Sequence, residues 1–408
     1  MSHFMIIGAG ECGARAAFAL RENGFEGDIT LVGDEPITPY ERPPLSKAGL
    51  KGSDQPKFIV ERERYDEEGI RLILGAGARD LDTRGNRVTL TDGRSLSYDK
   101  LLLATGAIAR PFPGVAGGAG RIRSLRNHAD ALAFGELLRE GSHIAIVGGG
   151  FIGLELAATA RKAGADVTVI EGLPRVLKRG VPEEIAEVIT ERHRAEGVDI
   201  RCEVSISSLE ETAEKATVRL ASGGTVEADL VIVGIGALPN TDLAERAGLV
   251  IENGIAVDEY LRTSVPDVFA AGDCCSFPMP LYGGRRMRLE SWRNAQVQGV
   301  LAAANMLGEH EPVSAVPWFW SDQYDMTLQI AGLADGATTT LRRDVGEGAF
   351  LLFHLDEAGR LLAASGIGPG NAVARDIRLS EMLIAARARP DPQALVASDV
   401  KLKSLLAA

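Results

Sequence analysis

The sequence predicts an α/β protein with two Rossmann-like domains and a small α+β domain towards its C-terminal end. Two observations carry the first part: a strand, a glycine-rich turn, a helix and a second strand closed by an acid occur in full near residue 8 and again near residue 148. The third observation is a C-terminal stretch whose short apolar runs are separated by turn residues and followed by a helical pattern. With 408 residues, 45% hydrophobic and 25% charged, the chain has the size and composition of a globular protein of two or three domains.

The first unit is "FMIIGAGECGARAAFALRENGFEGDITLVGD": an apolar strand, a turn through Gly8, Gly10 and Gly13, a helix to about Asn23, and a strand ending near Asp34. The first glycine permits a tight turn, the second lets backbone approach a pyrophosphate, and the third lets helix and strand pack closely, so the helix N-terminus faces the phosphates. Asp34 is placed to accept from an adenosine ribose, although Gly33 occupies the usual acid position and Glu35 is a rival.

The second unit, "HIAIVGGGFIGLELAATARKAGADVTVIE", repeats the pattern with Gly148, Gly150 and Gly153, Ile152 in the first helical turn, and a terminal Glu171. One such motif is weak evidence, since "GAGARD" at 75–80 is already a near-match; two complete units predict two bound dinucleotides. A carboxylate at Glu171 hydrogen-bonds a free ribose 2′-OH and repels a 2′-phosphate, which favours NADH over NADPH, with Arg175 nearby as the opposing feature. Two further apolar strands, "KLLLATGA" ending in Thr105 and Gly106 and "TSVPDVFAAGDCCSF" ending in Gly272 and Asp273, point to a flavin nucleotide in the first unit.

Towards the C-terminus, "MTLQIAG" (326–332), "AFLLFHL" (349–355) and "LLAASGI" (361–367) read as antiparallel strands, with "DEAGR" as a turn between the last two. "NAVARDIRLSEMLIAARA" reads as an amphipathic helix.

Other classes are disfavoured by bulk properties. The balance of 44 basic against 56 acidic residues, net −12, is the wrong sign for a nucleic-acid binder. No uncharged apolar run approaches the ~18 residues of a membrane span, and a strand-like segment begins at Phe4 without a signal-peptide pattern, so the expectation is a cytoplasmic protein with no membrane partner. Four cysteines without CxxC or CxxxxC spacing and six scattered histidines predict no disulfide framework and no zinc or iron–sulfur site.

The glycine motifs stand together with "PYERPPLSK" (39–47), "LLLATG", "LVIVGIGALPN" (230–240), "FAAGDC" and "PWFWSDQYD" (317–325). In these motifs, across essentially its whole length, the chain resembles the two-dinucleotide flavoprotein reductases. Within them it is similar to the FAD-dependent ferredoxin reductases of Rieske-type oxygenase and cytochrome P450 systems.

The resemblance implies an FAD domain at 1–108 and 242–316, an NADH domain at 109–241, and a C-terminal interface domain at 317–408. It implies FAD contacts at Asp273, Cys12, Lys47, Arg79, Arg126 and Trp292, and counts Gly236 among the cofactor-binding residues. Lys47 and Glu155 correspond to the Lys–Glu pair that similar flavoproteins place near flavin N5, where hydride arrives from nicotinamide C4. Cys274 and Cys275 are then small buried side chains and not a redox pair, since a disulfide between sequence neighbours needs a strained ring.

The flavin would release electrons singly to a [2Fe–2S] ferredoxin, a separate protein because the chain lacks cluster ligands, and so indirectly to a terminal oxygenase. Trp320 is a candidate for electron transfer, and Arg285 and Arg286, in "GGRRMRLESWR", for steering an acidic ferredoxin. The alternatives are an NADH oxidase or peroxidase, which needs a reactive cysteine in the N-terminal third where only Cys12 lies, and a flavin-bound signalling protein like apoptosis-inducing factor.

Overall fold

The structure, a computed structural model, describes residues 2–47, 55–115, 120–346 and 348–406. The chain divides into two compact units. The first comprises Met1–Glu41, Pro56–Ile108 and Leu238–Ala315, and the second Arg42–Gln55, Ala109–Ala237 and Val316–Ala408. Of the described residues, Arg42 to Lys47 therefore group with the second glycine motif.

In the first unit a five-stranded parallel sheet runs in the order 268–270, 100–103, 3–7, 28–32, 70–73. Strands 3–7, 100–103 and 268–270 are near-continuous apolar runs, as expected where both faces are covered. Helix Glu11–Glu22 packs against helix Trp292–Leu307 at a close crossing made possible by Gly299, where a Cβ would stand 2.4 Å from the Cys12 carbonyl oxygen. The unit also holds two three-stranded sheets, an antiparallel one of 78–82, 87–90 and 95–97 and a mixed one of 255–256, 275–279 and 285–287.

The second unit contains its own five-stranded parallel sheet, order 199–201, 166–170, 143–147, 230–233, 122–123. A buried cluster that includes Ala145, Val147, Val218 and Val231 joins that sheet to the antiparallel strands 206–211, 216–220 and 225–228. The C-terminal sheet is antiparallel, order 318–323, 326–332, 361–369, 349–355, 339–346, and helix Ala374–Ala385 packs on it. Three of these strands and the helix follow the sequence expectation; strands Trp318–Gln323 and Thr339–Gly346 are additional. The buried Arg343 ties down the chain's end by donating to the carbonyls of Leu395, Ala397, Ser398 and Val400.

Two buried histidines make this unit acid-sensitive. Burial holds both His193 and His354 down to about 4, although the Gln323 side chain partly counteracts it at His193. Both stay neutral when folded and gain a proton when unfolded below the ordinary histidine value. Their contribution is complete above about pH 6.5 and is lost as pH falls towards 4. Glu155, whose pKa burial raises, acts with the opposite sign. Urea unfolding of His354→Gln is therefore expected to lose about 2 kcal/mol less stability than the wild type on going from about pH 7 to pH 5. Equal losses in the two proteins would contradict the assignment.

Candidate functional site

Two glycine turns of the same design head the two parallel sheets. In the first, Gly8 has φ +116° and donates to the Val32 carbonyl at 2.8 Å. A Cβ there would stand 2.0 Å from the Ala104 carbonyl oxygen, and one at Gly13 would stand 1.9 Å from the Gly8 carbonyl oxygen. The second repeats this: Gly148 has φ +109° and a Cβ would lie 2.4 Å from the Gly234 oxygen, while Gly153 would meet the Gly148 oxygen at 2.3 Å. These four glycines are required by the protein's own packing.

Gly10 and Gly150 are different. They are the N-caps of helices Glu11–Glu22 and Phe151–Lys162, with ordinary φ of −92° and −82°. Among the described residues a Cβ at either would meet nothing within 4 Å. Neither backbone strain nor packing explains glycine here, whereas close approach of a phosphate to the exposed amides at a helix N-terminus does. Both cradles fit a dinucleotide. Ile152, in the first turn of the second helix, is 49% exposed, an apolar side chain left outside at the mouth of that cradle.

The acids that close the two units differ for a local reason. Glu171 accepts from the Gly149 amide at 2.7 Å through Oε2 and from the Leu173 amide at 2.8 Å through Oε1, which places its carboxylate at the glycine turn. In the first unit the middle residue of the turn is Ala9, and a Cβ at Gly33 would stand 2.6 Å from the Ala9 Cβ. A side chain at 33 would thus crowd Ala9, and the first acid after the strand is Asp34, which is exposed and accepts from the Glu35 amide at 3.0 Å. Glu35 accepts from the Tyr40 hydroxyl at 2.6 Å. Arg175 donates to the carbonyls of Val176 and Val181 at 3.2 and 2.9 Å, so its guanidinium is committed to backbone.

Around the first turn, Thr105 donates to the Asn240 carbonyl at 2.6 Å, and Gly106, at φ +69°, accepts from the Asn240 amide at 2.9 Å. Gly272, at φ +81°, donates to Gln298 at 2.8 Å and opens the 3-10 turn that carries Asp273. Trp292 begins the helix that packs on Glu11–Glu22. Arg79 is exposed on strand Ala78–Asp82, where its carbonyl accepts from Arg246. Arg126 belongs to the second unit: its amide donates to Asp130 and its carbonyl accepts from Arg42. Gly236, at φ +109°, is also in the second unit, and its carbonyl accepts from the Arg110 amide at 2.9 Å.

The cysteines are free. Cys12, Cys274 and Cys275 are buried, and burial, together with neighbouring thiol and carboxylate charge, pushes the Cys12 and Cys275 thiols well up; burial also raises Cys274. Such thiols are poor nucleophiles.

Four stretches of the second unit meet around Glu155 and Lys47. The turn Pro43–Ser46 is started by two prolines and delivers Lys47 at its C-cap. Thr159 anchors it by donating to the Ser46 carbonyl at 2.9 Å. Glu155, 8% exposed, accepts from the Ser46 hydroxyl at 2.5 Å and the Ser321 hydroxyl at 2.6 Å. Burial raises its pKa, opposed by Lys47 and the two hydroxyls.

Lys47 Nζ lies 3.9 Å from Glu155 but 2.7 Å from Asp322. Asp322 also accepts from Trp320 Nε1 at 3.0 Å and from Thr327 at 2.9 Å. Burial pushes the Asp322 carboxyl up, but Lys47 and the other donors outweigh it and hold it below the ordinary value. The Lys47 ammonium also sits 5.3 Å from the centre of the Trp320 ring, which stacks on Trp318. Asp322 was not legible as a member of this cluster, although the unusual "WFWSDQ" run marks its place.

Of the arginines expected at a docking face, Arg285 is exposed on strand Arg285–Met287. Arg286 is ion-paired to Glu252 at 3.0 Å and donates to the carbonyls of Val257 and Ser276, while Arg288 pairs with Glu290.

Residues 2–299 match the model of the pyridine nucleotide-disulphide oxidoreductases, and residues 318–406 match that of the reductase C-terminal domain. The chain belongs to the pyridine nucleotide-disulphide oxidoreductase family. Among full-length relatives, the anthranilate 1,2-dioxygenase system ferredoxin–NAD(+) reductase component of Burkholderia cepacia is 41% identical over 406 residues, 99% of each chain. Putidaredoxin reductase of Pseudomonas putida is 38% identical, covering 99% of this chain and 96% of the relative. The crystal structure of the covalent putidaredoxin reductase–putidaredoxin complex superposes with a TM-score of 0.92 at 37% identity, covering 100% of this chain and 98% of that one. Within the oxidoreductase family the chain is thus a member of the ferredoxin–NAD+ reductases, flavoenzymes that use FAD and NADH.

Proposed function

We propose that the protein is an NADH:ferredoxin oxidoreductase serving a Rieske-type oxygenase or cytochrome P450 system, with FAD on the first glycine cradle and NADH on the second. The observation that carries this reading is the likeness, over 99% of both chains, to a reductase component named for a ferredoxin and NAD+. FAD, when bound, supplies a carrier that takes hydride from NADH and gives up electrons one at a time.

The protein's own groups bind, orient and tune. Gly10 with the amides of helix Glu11–Glu22 holds one pyrophosphate, and Gly150 with helix Phe151–Lys162 holds the other. Thr105, Gly106, Gly272, Asp273 and Trp292 complete the flavin side together with Asp34 and the backbone at Cys12. Lys47, ion-paired to the Asp322 carboxylate, is the positive charge offered to the reacting ring, and Trp320, stacked on Trp318, is the aromatic offered to the electron path. Arg285 and Arg286 are assigned to an acidic ferredoxin. Cytoplasmic residence is part of the proposal, supported by four free cysteines and by the absence, among the described residues, of a helix long and apolar enough to cross a membrane.

NADH-driven cytochrome c reduction by the purified protein tests this reading, with and without a [2Fe–2S] ferredoxin and with oxygen uptake recorded. A large ferredoxin-dependent increase is expected. Rapid NADH and oxygen consumption without a ferredoxin effect would contradict it.

Nucleotide choice follows from Glu171 and Arg175. The carboxylate is held at the second glycine turn, which supports its assignment to a ribose 2′-OH, and the guanidinium is spent on two carbonyls, so kcat/KM is expected to favour NADH over NADPH at least about tenfold. Glu171→Ala is expected to weaken NADH about tenfold and remove most of that preference. An unchanged NADH/NADPH ratio in Glu171→Ala would count against the assignment.

A further inference from the structure

Glu155 lies at the end of a one-way chain of buried hydrogen bonds that starts on helix Glu183–Ala195, 38 positions further along the sequence at His193. Ser321 donates to Glu155 Oε1 at 2.6 Å, Gln323 Nε2 donates to Ser321 Oγ at 3.1 Å, and His193 Nε2 stands 2.8 Å from Gln323 Oε1. His193, Ser321 and Gln323 are 0%, 1% and 3% exposed. No water need enter, because each group meets the next directly.

The direction of this chain is decided at its far end. His193 Nδ1 is buried and has no hydrogen-bond partner among the described residues. The neutral ring carries a single proton, and a buried N–H without an acceptor costs more than a lone pair without a donor. The proton therefore sits on Nε2, where Gln323 Oε1 accepts it. That fixes the amide with its NH2 towards Ser321, and fixes the Ser321 hydroxyl as a donor to Glu155. Reversing the chain would require a proton on Nδ1 facing no acceptor.

The other oxygen of Glu155 has no such lock. Ser46 Oγ donates to Oε2 at 2.5 Å, but the Pro43 carbonyl lies within 3.4 Å as an alternative acceptor for the same hydroxyl. If Oε2 takes a proton, its new O–H donates to Ser46 Oγ and the Ser46 hydroxyl turns to Pro43. Nothing else has to move.

We propose that His193 and Gln323 are positioning residues that hold Ser321 as a fixed donor to Glu155 Oε1, so that Glu155 gains and loses its proton at Oε2, on the Ser46 side. The charged groups facing Glu155 are Lys47 and Asp322; those around His193 are Arg192 and Glu196, with the Tyr324 ring edge-on at 5.0 Å. The lock accounts for two residues of the "WSDQ" run that the flavin and ferredoxin roles leave unused. It deepens the proposed function by stating how one member of the Lys47–Glu155 pair is held, and its test does not depend on ferredoxin turnover.

The test is a pH titration of the Glu155 carboxyl in the FAD-loaded protein by carbon-13 NMR of labelled glutamate, with the signal identified by its loss in Glu155→Gln. Gln323→Met, similar in volume but unable to donate, is expected to raise the midpoint by on the order of one pH unit, because the released Ser321 no longer favours the charged form. Ser321→Ala is expected to do the same, and the double variant no more than Ser321→Ala alone, since both changes break one chain. If Gln323→Met fails to fold, His193→Phe breaks the chain at its start and is expected to shift the midpoint in the same direction. A midpoint unmoved in the folded Gln323 or His193 variant would overturn the proposal, whatever happens to thermal stability, and so would additive shifts in the double variant.

Discussion

Gly10→Val is expected to give a folded but colourless protein. The position has extended backbone, φ −92° and ψ −167°, that valine adopts, and a Cβ would meet no atom of the described residues within 4 Å. Replacing a glycine N-cap with an apolar residue costs only about 1 kcal/mol, so far-UV circular dichroism should match the wild type. The valine methyls instead occupy the space into which the FAD pyrophosphate must settle against the helix amides. A drop of at least tenfold in FAD affinity, read from the visible flavin absorbance of the purified protein, is the expected outcome. Stoichiometric FAD in this variant would remove the first cradle from the flavin site. Gly8 and Gly13 are poorer probes, because a side chain at either runs into a carbonyl at 2.0 or 1.9 Å and breaks the fold itself.

The matching change at Gly150 should separate the two cradles. Its φ of −82° and ψ of −178° suit valine equally well, and a Cβ there would again find nothing within 4 Å among the described residues. Gly150→Val protein is expected to be yellow, with its flavin bleached normally by dithionite, while the NADH concentration needed for half-reduction rises at least about tenfold, equivalent to about 1.4 kcal/mol or more. Loss of flavin from this variant with NADH binding intact would exchange the assignments of the two cradles.

Much of this was legible because glycine requirements are local. A turn that needs positive φ or passes close to a carbonyl admits only glycine, so Gly8, Gly13, Gly148 and Gly153 mark their own positions in the sequence. Strands Met326–Gly332 and Ala349–Leu355 match the expected runs residue for residue, and the second, buried at every position, leaves a nearly continuous hydrophobic signature. Strand Thr339–Gly346 escaped because its outward residues are arginine, aspartate and threonine and it pairs on one side only, at the edge of its sheet.

The polar cluster was the least legible part. Lys47, Glu155, His193 and Asp322 come from distant stretches, and no spacing in the sequence links them. Family likeness pairs Lys47 with Glu155, whereas the nearer carboxylate is Asp322, 2.7 Å from Nζ against 3.9 Å. The reason is crowding of donors: both Glu155 oxygens already accept from serine hydroxyls, leaving the half-exposed Asp322 as the better counter-ion. The glycine at 33, where the second unit has its acid, likewise turns on a single methyl, that of Ala9, whose consequence appears only when turn and strand are seen side by side.

Electron delivery to a ferredoxin is tested most directly by mixing NADH anaerobically with catalytic flavin-loaded protein and excess oxidised [2Fe–2S] ferredoxin, following the visible spectra of both. The predicted result is reduction of about two ferredoxins for each NADH consumed, since a hydride carries two electrons and each cluster accepts one. NADH-driven bleaching of the flavin while the ferredoxin stays oxidised, with turnover resuming only when oxygen is admitted, would contradict it.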